Sequence, residues 1–333
     1  MAVRNPFSIR RLALAGLILL ILASAGCSAA GNQPNEASAP VEIKIAMIPI
    51  VDGLPFYVAE KQGYFKENNL NVTIIPAASA AERDQLIAAG QAVGMINDLL
   101  SVALYNKQET QVQIVRIAHA ARPDSPMYRV MASAKSGITS PAELAGVPIG
   151  ISQGTVIEYV TDRLLEKAGL AEDQIESMAV PKMPERLALL GSGELKAATL
   201  PEPFSTIAEQ GGAVTLIDDS QYTELGISVV SFRKAFIDEN PQAVQVFMAA
   251  IEKAVADINQ DPETWRPLLA EKKLIPEALK DTYPVPQFPG PSVPDEAQFA
   301  DMIDWAKSHA LIEKDLPYSE SVTDRFLDNS SAK

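Results

Sequence analysis

The chain is short of cysteine and histidine, with one Cys and two His in 333 residues, and poor in aromatic residues at 6%. It is also short of positive charge, with 28 Lys+Arg against 42 Asp+Glu. Each shortage excludes something. A transition-metal carrier needs clustered His, Cys or acids, whereas His119 and His309 lie far apart in sequence and Cys27 sits near the amino terminus. A net charge of −14 repels phosphate backbones, and no basic stripe interleaved with aromatics offsets it, so nucleic acid is excluded as a partner. What remains is 47% hydrophobic and 21% charged, enough for a packed core, at a length that favours two lobes over one.

The amino terminus carries Arg4, Arg10 and Arg11, then an acid-free apolar run over 12–26 ending in Ala23-Ser24-Ala25-Gly26 before Cys27. A basic region, a short apolar region and small residues at a cut site are the grammar of an export signal, and the run is short for a spanning helix. Ser24-Ala25-Gly26-Cys27 resembles a bacterial lipobox, although Ser24 stands where Leu is preferred. Residues 1–26 are therefore expected to be a lipoprotein signal peptide and Cys27 the lipidated residue. Residues 27–40, rich in Ser, Ala, Asn and Pro, are expected to be a flexible tether.

From residue 41 the chain reads as strands alternating with helices. Val41, Ile43 and Ile45 alternate with Glu42 and Lys44 before the apolar Ala46-Met47-Ile48, a strand that enters half-exposed and becomes buried. Further strands are predicted at 71–75, 92–96 and 112–118, with helices between them; a second series follows at 128–134, 147–151, near Met178, 197–200 and 214–217. This alternation implies α/β sheets with ligand-accepting loops at the carboxyl ends of the strands. The carboxyl-terminal third is predicted helical, except for the proline-rich 283–294.

Three strand-to-helix junctions carry acids: Asp52, Asp98 after Asn97, and Glu202 between two prolines. Each reads either as a cap or first-turn acid or as a ligand contact. Gly150-Ile151-Ser152-Gln153-Gly154 matches the G-x-S-x-G elbow of serine hydrolases. The same loop also reads as an anion-accepting or oxygen-accepting helix start through Gly154 and Thr155, or as a plain cap. Arg122 and Tyr128 flank a proposed crossover, and Trp265 and Trp305 read as packing residues.

Gly53-Leu54-Pro55-Phe56-Tyr57-Val58-Ala59-Glu60-Lys61-Gln62-Gly63-Tyr64-Phe65, followed by Asn69-Leu70-Asn71-Val72, resembles the nitrate/taurine/sulfonate and thiamine-pyrimidine-precursor branch of ABC-transporter solute-binding proteins. The stretches 140–146, 150–155 and Leu200-Pro201-Glu202-Pro203-Phe204 agree with it in order. The resemblance implies a two-lobed periplasmic-binding-protein-like type II fold with a ligand cleft between the lobes. Lobe one would be discontinuous, 41–127 and 228–333, with lobe two at 128–227. It implies an extracytoplasmic, lipid-anchored, monomeric binding component serving an ABC permease and ATPase, and not an enzyme. Fungal pyrimidine synthases share the fold but carry a cysteine-rich iron segment that this chain lacks, and no cofactor or metal is implied. The expected ligand-binding residues are Asp52, Gly53, Leu54, Pro55, Asn97, Asp98, Tyr128, Ser152, Gln153, Gly154, Thr155 and Glu202. Acids in that set favour an amino-bearing nitrogen heterocycle such as a thiamine pyrimidine precursor. A sulfonate, taurine or nitrate ligand is the alternative, and an exported serine hydrolase using Ser152 is the rival from another class.

Overall fold

A computed structural model describes residues 39–327, so the expected signal peptide, Cys27 and most of the tether lie outside the described residues. The first strand, β1 (Val41–Met47), becomes fully buried in its second half, as its sequence pattern requires. It pairs in parallel with β2 (Leu70–Pro76) and β3 (Gly94–Asp98). A β-carbon at Gly94 would lie 2.7 Å from Ile45 Cδ1 and 2.8 Å from the Phe232 ring, so only glycine lets these strands close. With β4 (Val112–His119) and β10 (Ser228–Arg233) the order is β2-β1-β3-β10-β4, and β10 runs antiparallel to both neighbours.

A second sheet holds β5 (Tyr128–Ala132), β6 (Ile149–Ile151), β7 (Ser177–Ala179), β8 (Ala197–Pro201) and β9 (Val214–Asp218), in the order β7-β6-β8-β5-β9. The chain passes between the sheets twice, through residues 120–127 and 219–227. Asp219 Oδ1 ties the two passages, accepting the backbone N–H groups of Met127 at 2.8 Å and Tyr128 at 3.1 Å. The two-sheet α/β architecture is the one the sequence implied.

Helices α1 (Leu54–Gln62), α2 (Tyr64–Glu67), α3 (Ala80–Ala88) and α4 (Leu99–Asn106) cover the first sheet, and α5 (Val156–Lys167), α6 (Met183–Ser192) and α7 (Phe204–Gln210) accompany the second. Gly63, at φ +80°, ends α1 and opens α2, splitting what reads as one helical stripe. After β10 come α8 (Lys234–Glu239), α9 (Pro241–Gln260), α10 (Pro262–Glu271), α11 (Glu296–Ser308) and α12 (Tyr318–Ser321). The buried face of α9 stacks Phe247 on Phe65, with ring centroids 5.1 Å apart, and meets Phe232 edge-on.

Trp265 and Trp305 are buried packing residues. The helix over 296–308 was expected on lobe one. It lies beside α4 there, but its polar side chains reach α5 as well: Trp305 Nε1–H donates to Asp162 at 2.9 Å, and Arg163 forks onto Asp301.

Candidate functional site

The carboxyl edge of the first sheet carries a row of polar side chains. Ser228, the first residue of β10, stands opposite Asp98 on β3 and His119 on β4. Directly opposed residues of an antiparallel pair bring their β-carbons to roughly 4.5–5.5 Å, which holds for Ser228 and Asp98, and an irregularity between Ser228 and Val229 brings His119 against the same residue. Asp52, in the single turn Val51–Gly53 before α1, completes the row, its Oδ1 lying 2.9 Å from His119 Nδ1. Asp98 caps α4 through the Ser101 N–H at 2.8 Å. Burial raises the Asp98 carboxyl above its ordinary value, against the lowering pull of Arg83 and that N–H.

Two atoms of this row lack hydrogen-bond partners among the described residues: His119 Nε2 and Ser228 Oγ. His119 is 5% exposed and Ser228 7%. Phe288, from the extended proline-rich segment, lies against the imidazole with ring centroids 5.1 Å apart and planes tilted by 38°.

The second sheet meets this row with Tyr128, the first residue of β5. Its hydroxyl is pushed well above its ordinary value, first by burial and then by the charges of Asp98, Asp52 and Asp219. Glu202, at the end of β8, receives the Arg129 guanidinium, the Ser205 hydroxyl at 2.5 Å and the Thr206 hydroxyl at 2.7 Å. Tyr283, packed in the first lobe's core, donates its O–H to Glu202 across the cleft at 3.3 Å. Burial raises this phenol, with Glu202 and then Asp52 adding to the effect. Asp52, Asp98, Tyr128 and Glu202 are thus brought together between the sheets. Glu202, expected as an open acceptor, is engaged by four protein groups.

Other expected residues stand elsewhere. Leu54 is wholly enclosed in the first lobe's core and Pro55 is buried beside it, so both contribute packing. Gly53 is there for space, since a β-carbon would come within 2.8 Å of Met47 Sδ. Asn97 turns inward, accepting from Ser231 and donating to Ser101 at 3.4 Å.

In the β6–α5 loop, Ser152 Oγ donates to the Pro181 carbonyl at 3.3 Å and accepts from Arg186 at 2.5 Å. Arg186 is fully buried, and burial lowers its guanidinium to about 10. A protonated arginine cannot take the serine's proton, so this neighbour gives Ser152 no general base. His309 lies on the far side of α5, 3.3 Å from Asp162. The hydrolase reading therefore gains no supporting geometry. Thr155 caps α5 through the Ile157 N–H at 3.2 Å, and Gln153 is exposed. Gly154 N–H donates to the Glu158 carboxylate at 2.6 Å, which puts a negative group where an anionic ligand would need a donor.

The arginines near the cleft are similarly committed. Arg83 faces Asp84 and Asp98, Arg116 faces Glu252, and Arg129 faces Glu202. Next to Glu202 in sequence, Pro203 and Phe204 face Pro49, Ile50 and the 270–277 segment, with Lys273 and Glu277, across a cavity of about 420 Å³.

Sequence reasoning missed His119, Ser228, Tyr283 and Phe288. The first two end and begin strands, which is a signal of a kind; the last two belong to a segment whose course only the fold reveals.

Comparison with known proteins accords with this architecture. A formylaminopyrimidine-binding protein of Halalkalibacterium halodurans is 24% identical over 315 residues, covering 90% of this chain and 94% of the relative. A 4-amino-5-hydroxymethyl-2-methylpyrimidine phosphate synthase of Candida albicans is 23% identical over 227 residues, covering 64% and 65%. Among solved structures, the periplasmic aliphatic sulphonate-binding protein of Escherichia coli superposes with a TM-score of 0.71 at 16% identity, covering 85% of this chain and 92% of that one, which speaks for the fold alone. The model of the family described as NMT1/THI5 like matches residues 51–265, a span running from the Asp52 turn through both sheets, and the chain belongs to that family.

Proposed function

We propose that this protein is the extracytoplasmic substrate-binding component of an ABC importer, anchored by lipid on Cys27, and that it captures a small amino-bearing nitrogen heterocycle between its lobes. Lobe one comprises residues 41–127 and 228–333, lobe two residues 128–227. The observation that carries the ligand class is the charge of the cleft. Asp52 and Asp98 stand near Tyr128 where the two sheets meet, whereas each nearby arginine is already matched by a carboxylate or held by backbone carbonyls. A sulfonate or nitrate would approach these carboxylates, and the exposed Lys273 that lines the adjacent cavity offers it a solvated cation in place of a buried one. A neutral ring with N–H groups finds acceptors instead. The pyrimidine named in the Halalkalibacterium relative supports this reading, as does the breadth of that match.

A thermal-shift panel of aminopyrimidines, flavins, alkyl sulfonates and nitrate tests it. Stabilisation by an aminopyrimidine is expected, since a ligand at a hundred times its dissociation constant adds about 2.7 kcal/mol. Stabilisation by sulfonates alone would overturn the ligand class.

A further inference from the structure

Resting on the binding-protein reading above, we propose that His119 Nε2 and Ser228 Oγ form the recognition edge of the cleft. They would read a heterocycle edge in which an N–H donor adjoins an acceptor atom. The geometry points there through three observations. Asp52 Oδ1 stands 2.9 Å from His119 Nδ1, so in the neutral ring the proton sits on Nδ1 and Nε2 keeps its lone pair as an acceptor. Ser228 pairs with His119 in the strand register, at the irregularity between Ser228 and Val229, which brings the two residues together where β4 ends and β10 begins. Both atoms are more than nine-tenths buried and unpartnered, although buried polar atoms nearly always find a partner.

The pair has a defined grammar. His119 Nε2 accepts from a ligand N–H, and the Ser228 hydroxyl, free to rotate, donates to the neighbouring ring nitrogen or carbonyl. An amidine or amide edge of a pyrimidine satisfies both atoms. Phe288, tilted against the imidazole, supplies an apolar wall at the same place. A sulfonate offers only acceptors and would set its oxygens against the Nε2 lone pair, so the dyad also discriminates between the two ligand classes.

The test uses the full chain, two substitutions and two probes, 4-amino-2-methylpyrimidine and its 4-dimethylamino analogue. Calorimetry should show the wild-type protein binding the first probe at least tenfold more tightly than the second, because a buried acceptor left unpaired is costly. His119→Asn keeps a donor for Asp52 and removes the Nε2 acceptor; it should lose at least tenfold in affinity for the amino probe and no longer distinguish the two. Ser228→Ala removes an atom that bonds to nothing in the free protein, so it should weaken binding while leaving the melting temperature unchanged or higher.

Nitrogen NMR of the unliganded protein, assigned by the loss of one of two histidine signals in His119→Asn, should find the neutral His119 ring in its Nδ1–H tautomer. An Nε2–H proton there, or undiminished binding of the amino probe by both variants, would overturn the dyad while leaving the binding function intact. A wild-type protein that binds no amino heterocycle removes the proposed ligand class and this inference with it.

Discussion

Gly226 passes so close to Asp219 that a β-carbon at position 226 would overlap the Asp219 carboxylate and come within 2.8 Å of the Tyr128 ring. Asp219 and Gly226 belong to the second inter-lobe passage and Tyr128 to the end of the first, so this contact is where the two cross. Gly226→Ala should therefore cost roughly 1–3 kcal/mol, the usual range for forcing a methyl group into a filled site. Gly191, inside α6 with nothing within 4 Å of its would-be β-carbon, is the control, and Gly191→Ala should stabilise by about 0.5–1 kcal/mol. Urea denaturation of both variants measures the difference. Equal stabilities would mean that the crossing is loose.

The same carboxylate makes stability pH-dependent. Burial raises Asp219 to about 7 from an ordinary 3.8, against the lowering effect of the Tyr128 and Met127 N–H groups. Burial also raises Asp162 to about 6. In the window between these values and 3.8 the folded protein holds protons that the unfolded chain releases. Stability is therefore fully present at the acid end of the window and falls as pH rises through it, reversing the usual behaviour of a carboxylate. Melting temperatures measured from pH 4 to pH 8 should show the fall, and Asp219→Asn should flatten much of it. A rise over that range in the wild-type protein would contradict the assignment.

Tyr283 and Glu202 join the lobes through one hydrogen bond. Tyr283→Phe keeps the ring in its core and deletes the donor, so ligand affinity should fall about tenfold or more, within the range for a hydrogen bond to a charged group, with little change in melting temperature. Glu202→Gln acts differently because it removes the charge facing Arg129. It should destabilise the second lobe by roughly 2–4 kcal/mol, close to the cost of breaking a partly buried ion pair. X-ray scattering adds a check, since a cleft that shuts on ligand should give a smaller radius of gyration with an aminopyrimidine bound. A Tyr283→Phe protein with unchanged affinity and unchanged compaction would remove the latch.

Much of the fold was legible in the sequence because strand alternation and helix caps are local. Val41 to Met47 announces its burial residue by residue, and Asp98 and Thr155 announce their helices. The acids Asp52, Asp98 and Glu202 were found at strand ends for the same reason. What stayed hidden depends on pairs distant in sequence. Ser152 looked like a nucleophile or an anion contact until Arg186, 34 residues on, was seen to hold it. Glu202 looked open until Arg129 and Tyr283 were placed against it, 73 and 81 residues away. His119 was weighed only as a metal ligand, since nothing in its neighbourhood predicts that Asp52 would fix one nitrogen and leave the other bare. The six-residue α8 is too short to show a period, and Pro267 inside α10 reads as a helix breaker despite the buried stripe of Trp265, Leu268 and Leu269 around it.

The amino-terminal proposal has its own test. Cys27→Ser, or globomycin treatment of cells, should change the processing of the signal, and the Cys27→Ser protein should no longer fractionate with membranes once cleaved. A cleaved Cys27→Ser protein that stays membrane-bound would rule out lipid anchoring at this residue.

The ligand class is tested most directly by competition calorimetry on the wild-type protein, with 4-amino-2-methylpyrimidine set against an alkyl sulfonate of similar size. Micromolar or tighter binding of the pyrimidine, about −8 kcal/mol or better, with no measurable heat from the sulfonate, is the result expected of a cleft lined by Asp52, Asp98 and an unpaired His119 acceptor. Tight sulfonate binding that displaces the pyrimidine, or takes place in its absence, would contradict it.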